Sequence, residues 1–201
     1  VEAKLRGNVY AVFSTAFDFA ALKVGGEVVT WRTSSDNAPS SALQAKLRRN
    51  VTALFRTDFA FAAQKAGGEV VIWGGPKQGD SSSVEAKLRG NVTAIFSTPD
   101  DFAALRAGGE VVTWGHVPRD REWSLPIRQA RDSSAVEAKL RSNVTALCST
   151  AEAFAALNVF GEVVTWGVPS SGGDSKRCHC YLQQWTCFCS PESWWGSGDL
   201  G

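Results

Sequence analysis

NVTAIFSTPDDFAALRAGGEVVTWG, residues Asn91–Gly115, together with its lead-in VEAKLRG at Val84–Gly90, is one of four copies of a single unit. The others are VEAKLRGNVYAVFSTAFDFAALKVGGEVVTW from Val1, LQAKLRRNVTALFRTDFAFAAQKAGGEVVIWG from Leu43 and VEAKLRSNVTALCSTAEAFAALNVFGEVVTWG from Val136. The tryptophans closing them, Trp31, Trp73, Trp114 and Trp166, are spaced by 42, 41 and 52 residues. A period in this range marks a repeat architecture, in which one unit cannot bury its own faces and must stack on its neighbours.

Within the unit the pattern predicts three short strands. Val92–Ser97 alternates, with Val92, Ala94 and Phe96 expected on one face and Thr93, Ile95 and Ser97 on the other. Phe102–Leu105 and the Val- and Trp-rich Glu110–Trp114 follow. Ala107-Gly108-Gly109 joins them as a hairpin turn, because glycine enters positive φ without steric cost. Phe160-Gly161 keeps only one glycine there, so a slightly different turn is expected. The lead-in VEAKLR reads as a helical turn or an irregular outer strand, packed by Val84 and Leu88.

The expected fold is all-β: tandem β-meander blades of a partial, about four-blade β-propeller, with an irregular C-terminal tail. The repeats occupy residues 1–167, as 1–41, 42–83, 84–135 and 136–167, and the Cys/Trp-rich tail occupies 168–201. The connectors after the tryptophans are rich in Gly, Pro and Ser. The third, Gly115–Ala135, is about ten residues longer than the others. It carries Arg119, Arg121, Trp123, Arg128 and Arg131, residue types enriched at binding hot spots, and is the candidate interaction segment.

Each unit resembles the repeat of the regulator-of-chromosome-condensation and beta-lactamase-inhibitor-protein-II β-propellers. The shared residues are Val92-Thr93-Ala94-Ile95, Ala104-Leu105 and Gly109-Glu110-Val111-Val112-Thr113-Trp114-Gly115. The resemblance implies a propeller and a habit of binding proteins on propeller faces; rings of that family usually have more blades than four. Asp101-Phe102-Ala103 stands where that repeat carries His-Ser, and Arg32 replaces the glycine after Trp31. No residue here matches a motif for nucleotide exchange, chromatin binding or enzyme inhibition.

Other classes of function find little purchase. A formal net charge of +1 offers no field toward nucleic acid or an anionic membrane. No apolar run is long enough to span a bilayer. The two histidines, His116 and His179, fall in the long connector and the tail, away from any rigid nucleophile. Glu27, Glu69, Glu110 and Glu162 recur once per unit at a strand start, which suits a structural role better than a paired acid and base.

Cys178, Cys180, Cys187 and Cys189 form two C-x-C pairs, the candidate metal ligands, but tetrahedral zinc usually takes a wider C-x₂₋₄-C spacing. No metal and no cofactor are therefore expected. Cys148 takes the place of Phe13, Phe55 and Phe96 and reads as a buried apolar residue. Asn50, Asn91 and Asn143 head Asn-Val-Thr, a glycosylation acceptor pattern; Asn8 heads Asn-Val-Tyr, so a turn asparagine accounts for all four. Lys4/Arg6, Lys46/Arg48, Lys87/Arg89 and Lys139/Arg141, interleaved with Glu2, Glu85 and Glu137, read as a solvated rim.

The function these features favour is a noncatalytic protein-interaction scaffold with an unspecified protein partner and self-association through open blade edges. The alternatives are an accessory repeat segment of a larger enzyme, such as a ubiquitin ligase, or a gene fragment. The fragment reading rests on the absence of methionine and on a start inside a unit. The cysteine distribution leaves the compartment open and leans to a reducing interior, cytoplasm or nucleus.

Overall fold

The computed structural model describes residues 2–32, 39–74, 84–115 and 133–167, and the backbone strands at 178–181 and 186–189. Four three-stranded antiparallel meanders succeed one another: β1–β3 (Val9–Ser14, Asp18–Lys23, Val28–Arg32), β4–β6 (Val51–Arg56, Ala60–Lys65, Val70–Gly74), β7–β9 (Val92–Ser97, Asp101–Arg106, Val111–Gly115) and β10–β12 (Val144–Ser149, Ala153–Asn158, Val163–Gly167). Each is a propeller-type blade, and they are called blades 1 to 4 here.

The lead-ins are helical turns, not strands. They are α1 (Glu2–Leu5), α2 (Ser41–Leu47), a 3₁₀ turn at Glu85–Leu88 and α3 (Glu137–Leu140), which a 3₁₀ turn at Ser134–Val136 precedes. Leu47, Leu88 and Leu140 are buried, so each short turn is held by tertiary packing and not by propensity. The asparagine that follows each turn, Asn8, Asn50, Asn91 or Asn143, has φ between 61° and 66°. Asparagine tolerates this left-handed conformation better than most residues, and it turns the chain into the first strand.

The first strand departs from simple alternation. The register shifts between Val92 and Ala94, and the same bulge recurs at Val9/Ala11, Val51/Ala53 and Val144/Ala146. The extra residue switches faces, so Val92 packs with Ile95 on one side while Ala94 and Phe96 pack on the other. The expected grouping of Val92 with Ala94 and Phe96 is thereby corrected.

The second strand is the one enclosed on both faces. Ala20, Ala21, Ala62, Ala63, Ala103 and Ala104 are fully buried. Alanine suits this position because it lets two flanking sheets approach a central strand closely. The apolar core consequently lies between blades. Each cluster joins the forward face of one blade (Ala20, Leu22 and Val28 in blade 1) to the rear face of the next (Leu47, Val51, Leu54, Phe61, Ala63, Val71 and Trp73 in blade 2). Blades 2 and 3, and blades 3 and 4, repeat the arrangement with equivalent residues.

Two kinds of hydrogen bond clasp the junctions. The amides of Val51, Val92 and Val144 donate to the carbonyls of Gly26, Gly68 and Gly109 in the preceding blade, each at 3.1 Å. A second series links the first turns, with Ala16 N donating to Asp58 O at 2.8 Å and Asp58 N to Pro99 O at 2.6 Å. Pro99 has no N–H to continue it. Between blades 3 and 4 the hydroxyl of Ser149 donates to Ser97 O at 3.0 Å instead.

In the tail, two short strands, β13 (Cys178–Tyr181) and β14 (Thr186–Cys189), pair only with each other. An irregular segment was expected there. The alternation in Cys-His-Cys-Tyr and Thr-Cys-Phe-Cys has the period of two that a strand requires.

Candidate interaction surface

The meander frame is repeated almost bond for bond, which separates residues that build it from residues free to do something else. Phe19, Phe61, Phe102 and Phe154 stack on Trp31, Trp73, Trp114 and Trp166 with centroids 5.2–5.5 Å apart. Trp73, Trp114 and Trp166 are buried, whereas Trp31, with no blade behind it, is half-buried. The Trp73 indole donates to Thr30 Oγ1 of blade 1 at 3.1 Å. Ile72 stands at the corresponding place before Trp114, whose buried Nε1 has no partner among the described residues.

The recurrent glutamates close their own hairpins. Lys23, Lys65, Arg106 and Asn158 donate backbone N–H groups to the carbonyls of Glu27, Glu69, Glu110 and Glu162. Their side chains pair across the same turn: Lys23–Glu27 at 3.1 Å, Lys65–Glu69 at 3.0 Å, Arg106–Glu110, and Asn158 Nδ2 to Glu162 Oε2 at 2.9 Å. Lys87 adds a 2.8 Å contact to Glu110. Burial alone would raise the Glu110 carboxyl, but the hydrogen bonds and charges of Lys87 and Arg106 outweigh it and hold it below its ordinary 4.5.

One repeated group escaped the sequence reading. Thr15, Thr57, Thr98 and Thr150 each accept, through Oγ1, the amides two and three residues on, closing the turn between first and second strands. The signal was present: threonine is invariant there in all four units. The basic lead-in residues Lys4, Arg6, Lys46, Arg48, Lys87, Arg89, Lys139 and Arg141 are exposed, as a solvated rim requires. Cys148 is buried, with Sγ 3.7 Å from Ala155 O.

Against this frame, a cleft of about 460 Å³ opens between blades 1 and 2. Its walls include Trp31, Arg32, Leu43, Lys46, Trp73 and Glu85. Arg32 donates Nε to Asp18 Oδ1 at 2.6 Å and Nη2 to Gly74 O at 2.8 Å, tying blade 1 to blade 2. Asp18 is buried, and the pair is peculiar to this unit: alanine replaces Asp18 in blades 2 and 4, and glycine replaces Arg32 in blades 2 to 4. Arg32, the departure noted after Trp31, faces Asp18 across β2 and β3, whereas Asp101 at the equivalent place in blade 3 faces Gly115. The walls bring together the Lys46 ammonium, the Arg32 guanidinium and the Asp18 and Glu85 carboxylates. Such a lining can bind a polar surface.

The long connector meets the frame at Ser133, whose hydroxyl is 3.2 Å from Thr113 Oγ1. Arg119, Arg121, Trp123, Arg128 and Arg131, and His116 with them, lie outside the described residues. In the tail, backbone register sets Cys178 opposite Cys189, Cys180 opposite Cys187 and His179 opposite Phe188. Among the described residues, no group of His, Cys, Asp and Glu side chains is placed to hold a metal ion, and no helix is long and apolar enough to cross a membrane.

Fold and surface together define an all-β array of propeller-type blades with variable connectors. No protein-family model matches the chain, and no curated protein matches it in sequence. Among solved structures it is similar to human WBSCR16, at 22% identity and TM-score 0.46, covering 81% of this chain and 48% of that one. A structure of yeast RCC1 (Prp20) with Kap60 is similar at 16% identity and TM-score 0.48, covering 81% and 44%. The computationally designed protein Ika4 is similar at 17% identity and TM-score 0.38, covering 82% and 95%. The chain thus spans less than half the length of the first two.

Proposed function

We propose that this chain is a noncatalytic protein-interaction scaffold, in which stacked blades of the regulator-of-chromosome-condensation type hold variable connectors for a protein partner. The observation that carries this reading is the contrast between frame and connectors. Threonine turns, Gly–Val clasps and Phe–Trp stacks recur in every unit or junction, while the segments after the tryptophans differ in length and composition. Residues free of the frame are free to recognise. The binding segment in this reading is Gly115–Ala135, through Arg119, Arg121, Trp123, Arg128 and Arg131. The recurrent glutamates are engaged in their own hairpins, which supports a structural use for them over acid–base chemistry.

The test is affinity capture with the full chain and with a variant whose residues 116–132 are cut to the length of the second connector, 75–83. An unchanged melting temperature with loss of the captured proteins is expected. Equal capture by both proteins would contradict the assignment.

A further inference from the structure

The four blades share one junction chemistry, and the two ends of the array carry its unmatched halves. At the three internal junctions, the second glycine of each hairpin lies directly against the next blade. A Cβ on Gly26 would come within 2.7 Å of Val51 O, one on Gly68 within 2.6 Å of Val92 N, and one on Gly109 within 2.6 Å of Asn143 N and Val144 N. Gly161, the fourth of the series, has nothing within 4 Å of that position, although its φ of 81° matches the others. Beside it, Val163 is 43% exposed, whereas Val28, Val70 and Val111 are 6–9% exposed. Val159 and Phe160 on the same hairpin are exposed as well.

The other end shows the converse. On the rear face of blade 1, Val12 is 60% exposed, whereas Leu54, Ile95 and Leu147 are 4–7% exposed. Val9, Phe19 and Trp31 are half-buried, against buried counterparts in blades 2 to 4. Asn8 nevertheless has φ 61°, like Asn50, Asn91 and Asn143. The backbone that would fit over a hairpin glycine is already formed.

We propose that the forward face of blade 4 receives the rear face of blade 1 from a second copy of this chain, head to tail. The occupant follows from the internal junctions. Every copy presents Leu5, Val9, Val12, Phe19 and Trp31 at the positions that blade 4 uses, as Leu140, Val144, Leu147, Phe154 and Trp166, to dock on blade 3. The new junction places Val9 N on Gly161 O and Val12 beside Val163. On the receiving side Cys148 stands where the other blades carry phenylalanine, and Phe160 where they carry the first hairpin glycine. The contact is heterologous, so an open pair keeps one free half at each end, which further copies extend or ring closure satisfies. It shares only the blade architecture with the proposed scaffold function and can fail while that function stands.

The test uses the full chain, Val12→Glu and Val163→Glu, each with one half-junction blocked at an exposed position. Sedimentation of the unsubstituted chain should show mass rising with concentration from the monomer, while each variant alone stays monomeric with an unchanged circular dichroism spectrum. An equimolar mixture of the variants should form a dimer and stop there, because one intact junction remains and both outer ends are blocked. An unsubstituted chain that remains monomeric at high micromolar concentration overturns the proposal, whether its own tail or its own first blade covers the face. So does association that neither variant prevents, or a mixture that stays monomeric.

Discussion

The amide of Val144 donates to the carbonyl of Gly109 at 3.1 Å across the junction between blades 3 and 4. Because Gly109 has φ 79° and lies against the backbone of Asn143 and Val144, two constraints meet at one residue. The conformation disfavours any side chain, and the neighbouring blade leaves no room for one.

Gly109→Ala and Gly161→Ala separate these constraints. Both substitutions strain a left-handed backbone, at a cost of about 1–2 kcal/mol. Only Gly109→Ala also drives a methyl into the next blade, adding about 1–3 kcal/mol. Denaturant unfolding of dilute protein should therefore show Gly109→Ala clearly the more destabilised. Equal losses would place the junction elsewhere.

The Asp18–Arg32 pair gives a second test. Arg32→Ala leaves a buried carboxylate without its cation, which costs on the order of 3–5 kcal/mol when fully buried and less here, where the arginine is partly exposed. The double variant Asp18→Ala/Arg32→Ala recreates at residue 18 the alanine found in blades 2 and 4. It should recover most of the loss. A double variant as unstable as the single one would show that Arg32 acts chiefly through its bond to Gly74 O.

Much of this architecture was legible beforehand, for identifiable reasons. Asn91, Gly109 and Trp114 each recur at fixed offsets, and each is a residue type with a restricted job: left-handed turn, hairpin turn, large apolar strand end. The bulge after Val92 was not legible, since Thr93 is as acceptable in a regular strand as in a bulged one. That the core lies between blades could be inferred from stacking, but which face of Val92 belonged to which junction could not. The cleft escaped because Asp18 and Arg32 are far apart in sequence and meaningful only once β2 and β3 are in register. The Cys-rich tail hides its hairpin because four-residue strands carry little pattern.

Trp114→Ala removes the ring that stacks on Phe102 at 5.2 Å and should cost about 3–5 kcal/mol. That is a large share of the roughly 5–15 kcal/mol typical of a domain. Cooperative thermal unfolding should be lost or shifted far down. Trp31→Ala, at a half-buried site, should shift it much less. Equal shifts would mean that burial between blades does not set the stability.

Glu110 makes one contribution depend on pH. Its carboxyl titrates below 4.5 in the folded chain, so folding binds fewer protons than the unfolded state as pH falls through that region. The stabilisation is complete above the unfolded value and is lost as pH drops through the folded one. Glu110→Gln should therefore lower stability at neutral pH by up to about 1 kcal/mol, as expected of a partly exposed pair. The difference should vanish in acid below the folded value. A gap that persists undiminished there would assign the effect to packing.

Amide hydrogen exchange at four equivalent valines tests the stacked-blade account most directly. In dilute monomer, the amides of Val51, Val92 and Val144, each bonded to a hairpin glycine of the preceding blade, should exchange slowly and together, near the rate set by global unfolding. The amide of Val9, which has no preceding blade in the chain, should exchange fast. Fast exchange at Val92 or Val144, or protection of Val9 equal to theirs, would contradict the junctions described here.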